Sequence, residues 1–234
     1  MAQRHPTGIG RYIRELVGAL SDPEAGPGGD EILLASTREA ESARWIPRAV
    51  RTHVVPWPRR PVQLAWCLGS GPQLERSIGK LDVAHLIQPF PPVKTSAPQV
   101  VTIHDLFPFE HPEWYRRSEQ GTYRRSIALV LRRAQRIVVP SEYVAARVVT
   151  TLDVDPARVK AVALGVSGAF SHFRTDDEVR ATCTRLGLTP GRFAISVGAV
   201  SARKNVIVLV RAAAQMHDER LPLVLVGPDG HGAK

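Results

Sequence analysis

Apolar residues in this chain follow two alternating patterns. Short, nearly continuous runs recur as EILLA (31–35), THVVP (52–56), DVAHLI (82–87), QVVTIH (99–104), RIVVP (136–140), RVKAVAL (158–164), FAISVG (193–198) and LPLVLVG (221–227). Runs without strict alternation are expected of parallel strands covered on both faces. Between them, apolar positions recur at helical spacing. Ile13, Leu16, Val17 and Leu20 make one stripe over residues 10–20, and Tyr123, Ile127, Val130, Leu131 and Ala134 make another over 115–135. Ser141 and Asn205 are placed as N-caps of helices over 141–152 and 205–217. Strand–helix–strand alternation of this kind predicts an α/β fold: a Rossmann-like, doubly wound parallel sheet, with part of a second such domain after it.

The pattern weakens over SGAFSHFRTDDEV (167–179). A first domain over 1–170, a link over 171–190 and the start of a second domain over 191–234 are expected. Only MAQRHPT precedes the first helix, so the opening strand of the first domain is expected to be missing and the second domain to be incomplete. The longest apolar run, near IALVL (127–131), is far short of the roughly 20 residues a bilayer span needs. The first ten residues, MAQRHPTGIG, contain no apolar signal segment, and a cytoplasmic protein is expected.

Composition narrows the chemistry. With 44% hydrophobic and 23% charged residues the chain can bury a core, which disfavours disorder. Cys67 and Cys183 stand 116 positions apart with no metal-binding spacing, so neither a disulfide framework nor a thiolate metal site is expected. The formal charge of +9 favours an anionic partner. Much of it lies between 116 and 147, where Arg117, Arg124, Arg125 and Arg132 cluster opposite the apolar stripe of one helix. A solvated face or peripheral contact with an anionic membrane surface are the two readings. No nucleic-acid motif or aromatic stacking platform accompanies the charge, so nucleic acid is not an expected partner.

Three motifs sit where ligands bind in open α/β sheets. In T-G-I-G-R-Y (7–12), Gly8 and Gly10 stand just before a helix, so the segment is either a backbone cradle for phosphate or a plain loop. In V-V-T-I-H-D-L (100–106), a strand runs into His104 and Asp105. A histidine beyond a strand's carboxyl end can donate to a sugar hydroxyl or stabilise developing charge; alternatively it caps the next turn. In V-G-A-V-S-A-R-K-N (197–205), a strand ends at Gly198, and a turn delivers Arg203 and Lys204 ahead of a helix. Two cations and a helix N-terminus at a strand end make a diphosphate site. Two metal readings are disfavoured. His104, Asp105, Glu110 and His111 form no helical pair of histidines, and D-V-D (153–155), before Pro156, reads as a helix-ending turn.

These residues resemble the retaining glycosyltransferases of family 4, which have the GT-B fold of two Rossmann-like domains. The matching segments are GIGRY (8–12), TIHDLFPFEHPEWY (102–115), RRAQRIVVPSEYVA (132–145), VKAVALGVSGAF (159–170), VGAVSARKN (197–205) and LPLVLVGPDG (221–230). The resemblance implies a hexosyltransferase moving a mannose-like or other sugar from a nucleoside-diphosphate donor to a glycan or lipid-linked acceptor, with retention, in bacterial polysaccharide or envelope biosynthesis. It implies that Gly8, Gly10 and Arg11 lie near donor phosphates and acceptor, that His104, with Asp105 beside it, faces the transferred sugar, and that Gly198, Arg203 and Lys204 hold the diphosphate, without metal or other cofactor. Ala199 departs from the family pattern, which often has arginine there, and the family's downstream E-x7-E region has no counterpart. A non-catalytic remnant or binding protein of the same fold is the alternative.

Overall fold

The structure is a computed structural model that describes residues 8–22, 24, 30–36, 46–216 and 221–229. Its helices and strands run, in order, Gly8–Leu20 (α1), Leu33–Ser36 (β1), Arg51–Val54 (β2), Arg59–Cys67 (α2), Glu75–Ile78 (α3), Ala84–Leu86 (β3), Gln99–Thr102 (β4), Phe107–Glu110 (α4), Arg117–Leu131 (α5), Ala134–Val139 (β5), Glu142–Leu152 (α6), Val159–Ala161 (β6), Asp176–Arg185 (α7), Ala194–Val197 (β7), Val206–Gln215 (α8) and Leu223–Val226 (β8). Each of the eight apolar runs overlaps a strand, and every described strand pair is parallel. The chain divides into two compact units, Met1–Phe109 with Ser118–Gly165, and Glu110–Arg117 with Val166–Lys234.

The first unit contains the four-stranded sheet β3-β4-β5-β6 and the pair β1-β2. Val101, Ile137 and Val139 in the sheet, Ile127 and Val130 on α5 and Val148 on α6 are almost completely buried in one core. A second cluster joins Ile13 and Val17 of α1 to Val50, with Ile32, Leu34 and Ile87 packed against it. Of the predicted α1 stripe, Leu20 is left exposed at the helix end. The stripe over 115–135 divides: the helix ends at Leu131, and Ala134 is buried as the first residue of β5. A strand-initiating alanine and a helical one look alike to a period count, because both patterns tolerate a small apolar residue there.

Local chemistry sets several boundaries. The Ser141 hydroxyl accepts from the Val144 amide at 3.3 Å, capping α6 as expected. Asp153 ends α6 in the left-handed conformation, and Asp155 accepts from the Ala157 amide at 2.9 Å to start the next turn. D-V-D is thus a helix stop followed by a helix start. Residues 171–190, expected as a link, contain α7, which opens on a reciprocal capping box between Thr175 and Glu178. In the second unit β7 and β8 form a two-stranded parallel sheet. Among the described residues no helix is long and apolar enough to cross a membrane.

Glu75 of α3 ties that short helix to the chain before β4. One carboxylate oxygen accepts from the Thr95 hydroxyl, the Ser96 amide (2.8 Å) and hydroxyl (3.0 Å), and the Ala97 amide (3.1 Å). Burial opposes its ionisation, but these hydrogen bonds outweigh burial and hold its pKa at about 2, below the ordinary 4.5. The unfolded chain therefore takes up the proton first. The stabilisation is complete above pH 4.5 and disappears as pH falls toward 2. Glu75→Gln is expected to remove this pH-dependent component, about 1–2 kcal/mol at neutral pH after allowance for solvent screening. Urea midpoints at pH 7 and pH 3 for both proteins check it; parallel pH profiles would show that the carboxylate plays no such part.

Candidate functional site

The carboxyl end of β4 collects an unusual set of polar side chains. Thr102 is the last residue of the strand and is 2% exposed. Its hydroxyl is hydrogen-bonded to Nε2 of His85, on the neighbouring β3, at 2.8 Å, and lies 3.4 Å from the Tyr12 hydroxyl. Tyr12 projects from the first turns of α1, and its ring meets the His104 ring edge-on, centroids 4.8 Å apart. Helix α1 is brought here by packing of Ile13 and Val17 into the second apolar cluster.

His104 follows two residues after β4. Burial lowers its pKa from the ordinary 6.5, against the opposing effects of a hydrogen bond to the Ile87 backbone and the charge of Asp105. His85 is shifted the same way, first by desolvation of the ring, which keeps an exposed edge, and then by proximity to His104. At neutral pH His104 is accordingly an uncharged imidazole. Its Nε2 atom is buried and has no hydrogen-bond partner among the described residues. The Ile87 bond therefore belongs to Nδ1, which donates to the carbonyl, and Nε2 carries the lone pair. The first reading of this histidine included hydrogen-bond donation to a sugar hydroxyl. In this tautomer Nε2 can accept, rather than donate, a hydrogen bond. An unpaired buried acceptor costs free energy unless something supplies a proton donor.

Asp105 turns its carboxylate to the Phe107 amide at 3.3 Å, and its backbone carbonyl accepts from the Tyr123 hydroxyl at 3.4 Å. Gly8 and Gly10 were expected ahead of the helix; both lie in the first turn of α1, with Arg11 following. A Cβ on Gly8 would meet nothing within 4 Å, so packing among the described residues does not require glycine there.

The second group of expected residues belongs to the other unit. β7 ends at Val197, and Gly198 follows with φ +152. The strands continue as a ladder past this point: the Gly198 amide donates to Val226 O at 2.8 Å and the Val200 amide to Pro228 O at 3.0 Å. Gly227, φ +154, faces Gly198 so closely that a Cβ on it would lie 2.0 Å from the Gly198 oxygen. Lys204 closes a 3₁₀ turn, Ala202–Lys204, and its Cε lies 3.7 Å from the position a Cβ on Gly198 would take. The lysine stem thus lies over the glycine at the strand's carboxyl end. Asn205 occupies the N-cap position of α8, but in the left-handed conformation and with no side-chain cap hydrogen bond. Its contribution is the backbone reversal between the cation-bearing turn and the helix.

Tertiary structure thus brings His104 against Tyr12, which follows Arg11 on α1, and separately Gly198 close to Lys204. Tyr12, His85, Thr102 and Ile87 were not singled out from the sequence. The available signals were a tyrosine at the end of GIGRY and a histidine interrupting the apolar run DVAHLI. Among the described residues no group of three or more His, Cys, Asp or Glu is placed to hold a metal ion.

Comparison with known proteins gives the lineage. The family described as Glycosyltransferase Family 4 matches residues 6–168. The crystal structure of Anabaena HepE in complex with UDP-glucose matches with a TM-score of 0.66 at 13% identity, over 97% of this chain and 58% of that one. The likeness carries the GT-B fold, and this chain spans somewhat more than half the length of that neighbour. No curated protein matches the chain. With the family match covering the strand-end histidine, the glycine turn and the whole four-stranded sheet, the chain belongs to glycosyltransferase family 4.

Proposed function

We propose that this chain supplies the sugar- and diphosphate-contacting parts of a retaining hexosyltransferase that uses a nucleoside-diphosphate sugar. The acceptor is a glycan or lipid-linked sugar, and the setting is bacterial polysaccharide or envelope synthesis at the cytoplasmic side. One observation carries the reading: Nε2 of neutral His104 is buried and unpartnered among the described residues, with the ring against Tyr12 of α1. A sugar hydroxyl is the donor that atom lacks. Asp105 holds the turn after His104 through Phe107. Gly8 and Gly10 stand in the first turn of α1, where backbone amides and the helix dipole favour phosphate, and Arg11 adds positive charge. When the anomeric C–O bond breaks, negative charge develops on the departing diphosphate. Lys204 and Arg203, beside Gly198, stabilise it where it forms, with no metal in the scheme.

Titration calorimetry with UDP, GDP and their hexose conjugates tests the assignment. His104→Ala is expected to weaken a sugar nucleotide roughly tenfold, the loss from one buried hydrogen bond, while leaving the bare nucleotide unchanged. Binding of the conjugate should also weaken as pH falls below 6.5 through the lowered His104 pKa, because protonation removes the accepting lone pair. Equal losses for nucleotide and conjugate would remove His104 from sugar recognition.

A further inference from the structure

The outer surface formed by α2 and α5 combines two features that a water-facing surface has no use for together. The first is a pair of leucines. Leu64 and Leu68, one turn apart, are 62% and 57% exposed, while Val62 and Trp66 of the same helix are buried. The second is a group of exposed arginines, Arg124 and Arg125 on α5 and Arg132 directly after its end, with Gly121 and Ala128 on the same side of the helix. Glu119 is the acidic residue of α5 and falls on the opposite side of the helix; α2 contains no acid.

The two helices adjoin. Arg125 Nε donates to the Cys67 carbonyl at the end of α2, Cys67 Sγ lies 3.7 Å from the Ser126 hydroxyl, and a Cβ on Gly69 would be 3.8 Å from Leu129. Arg124 stacks over the Phe109 ring at 5.1 Å, which holds its guanidinium at the surface. Arg124 and Arg125 are therefore an anchored layer, with Arg125 reaching the end of α2 that Leu68 follows. Gly121 and Ala128, having almost no side chain, let a flat partner approach that layer closely. Nucleic acid would use the charge and leave the leucines in water. An anionic bilayer uses both, since leucines enter the acyl boundary while guanidinium groups remain among headgroup phosphates.

We infer that this α2–α5 face docks the protein on an anionic lipid bilayer, with Leu64 and Leu68 inserted and the α5 arginines on the headgroups. The inference is independent of donor binding, and its test uses no nucleotide. The full chain is sedimented with vesicles of phosphatidylcholine alone and of phosphatidylcholine mixed with phosphatidylglycerol in a roughly 7:3 ratio. Binding to the mixed vesicles only, weakening with added salt, is expected. Arg124→Ser with Arg132→Ser should weaken it roughly 25-fold, the product of about fivefold for each surface cation. Leu64→Ser with Leu68→Ser should weaken it roughly tenfold or more without changing its salt dependence. All four side chains are on the surface, so unchanged circular dichroism is expected of both variants. Equal binding to neutral vesicles, wild-type binding by either variant, or tighter binding to polyuridylic RNA than to anionic vesicles at the same salt would overturn the inference.

Discussion

Lys204→Ala is expected to lower sugar transfer by roughly 10²–10³-fold in a form of the protein that carries out transfer, with little change in KM. The stem of Lys204 lies over the strand end at Gly198, its Cε 3.7 Å from where a Cβ on that glycine would be. The ammonium group is thereby held beside the carboxyl end of β7 and the turn that leads into α8. Ligands of open α/β sheets bind beyond such ends. A charge already in place when the diphosphate departs needs no reorganisation, and its effect falls mainly on the transition state. Rates of nucleoside-diphosphate release, measured for wild type and variant, decide the matter. An unchanged rate would take Lys204 out of the mechanism.

Gly227→Ala is expected to destabilise the second unit by about 3–5 kcal/mol, combining a positive-φ alanine with severe overpacking. The obstruction is backbone: the new Cβ would lie 2.0 Å from the Gly198 oxygen and 2.5 Å from its carbonyl carbon. No rotamer change relieves it, so β7 and β8 must separate where they carry Gly198 and Val200. Those two amides donate to Val226 and Pro228, and their hydrogen-exchange protection should be lost in the variant. Retained protection with an unchanged melting temperature would refute the steric argument. Since Gly198 also seats Lys204, the same change should impair diphosphate binding at a distance from the cation itself.

Much of this protein can be read without coordinates. Every described strand overlaps one of the apolar runs, Ser141 caps α6, and D-V-D ends a helix, because burial period, capping and turn chemistry are local and each leaves a mark in neighbouring residues. The strand-end rule also singled out His104, Gly198 and Lys204, since sheet topology alone determines where such ends lie. The polarity of His104 was not legible. It depends on the Ile87 carbonyl, 17 positions away in sequence, and on burial beside Tyr12, 92 positions away. Nor could sequence show that Thr102 joins His85 to Tyr12, that Gly227 is required by Gly198, or that leucines of α2 stand beside arginines of α5. Pattern records which way each segment faces. Which segments meet, and with them the tautomer of a ring or the clearance of a glycine, is decided only when packing brings distant parts of the chain within a few ångströms.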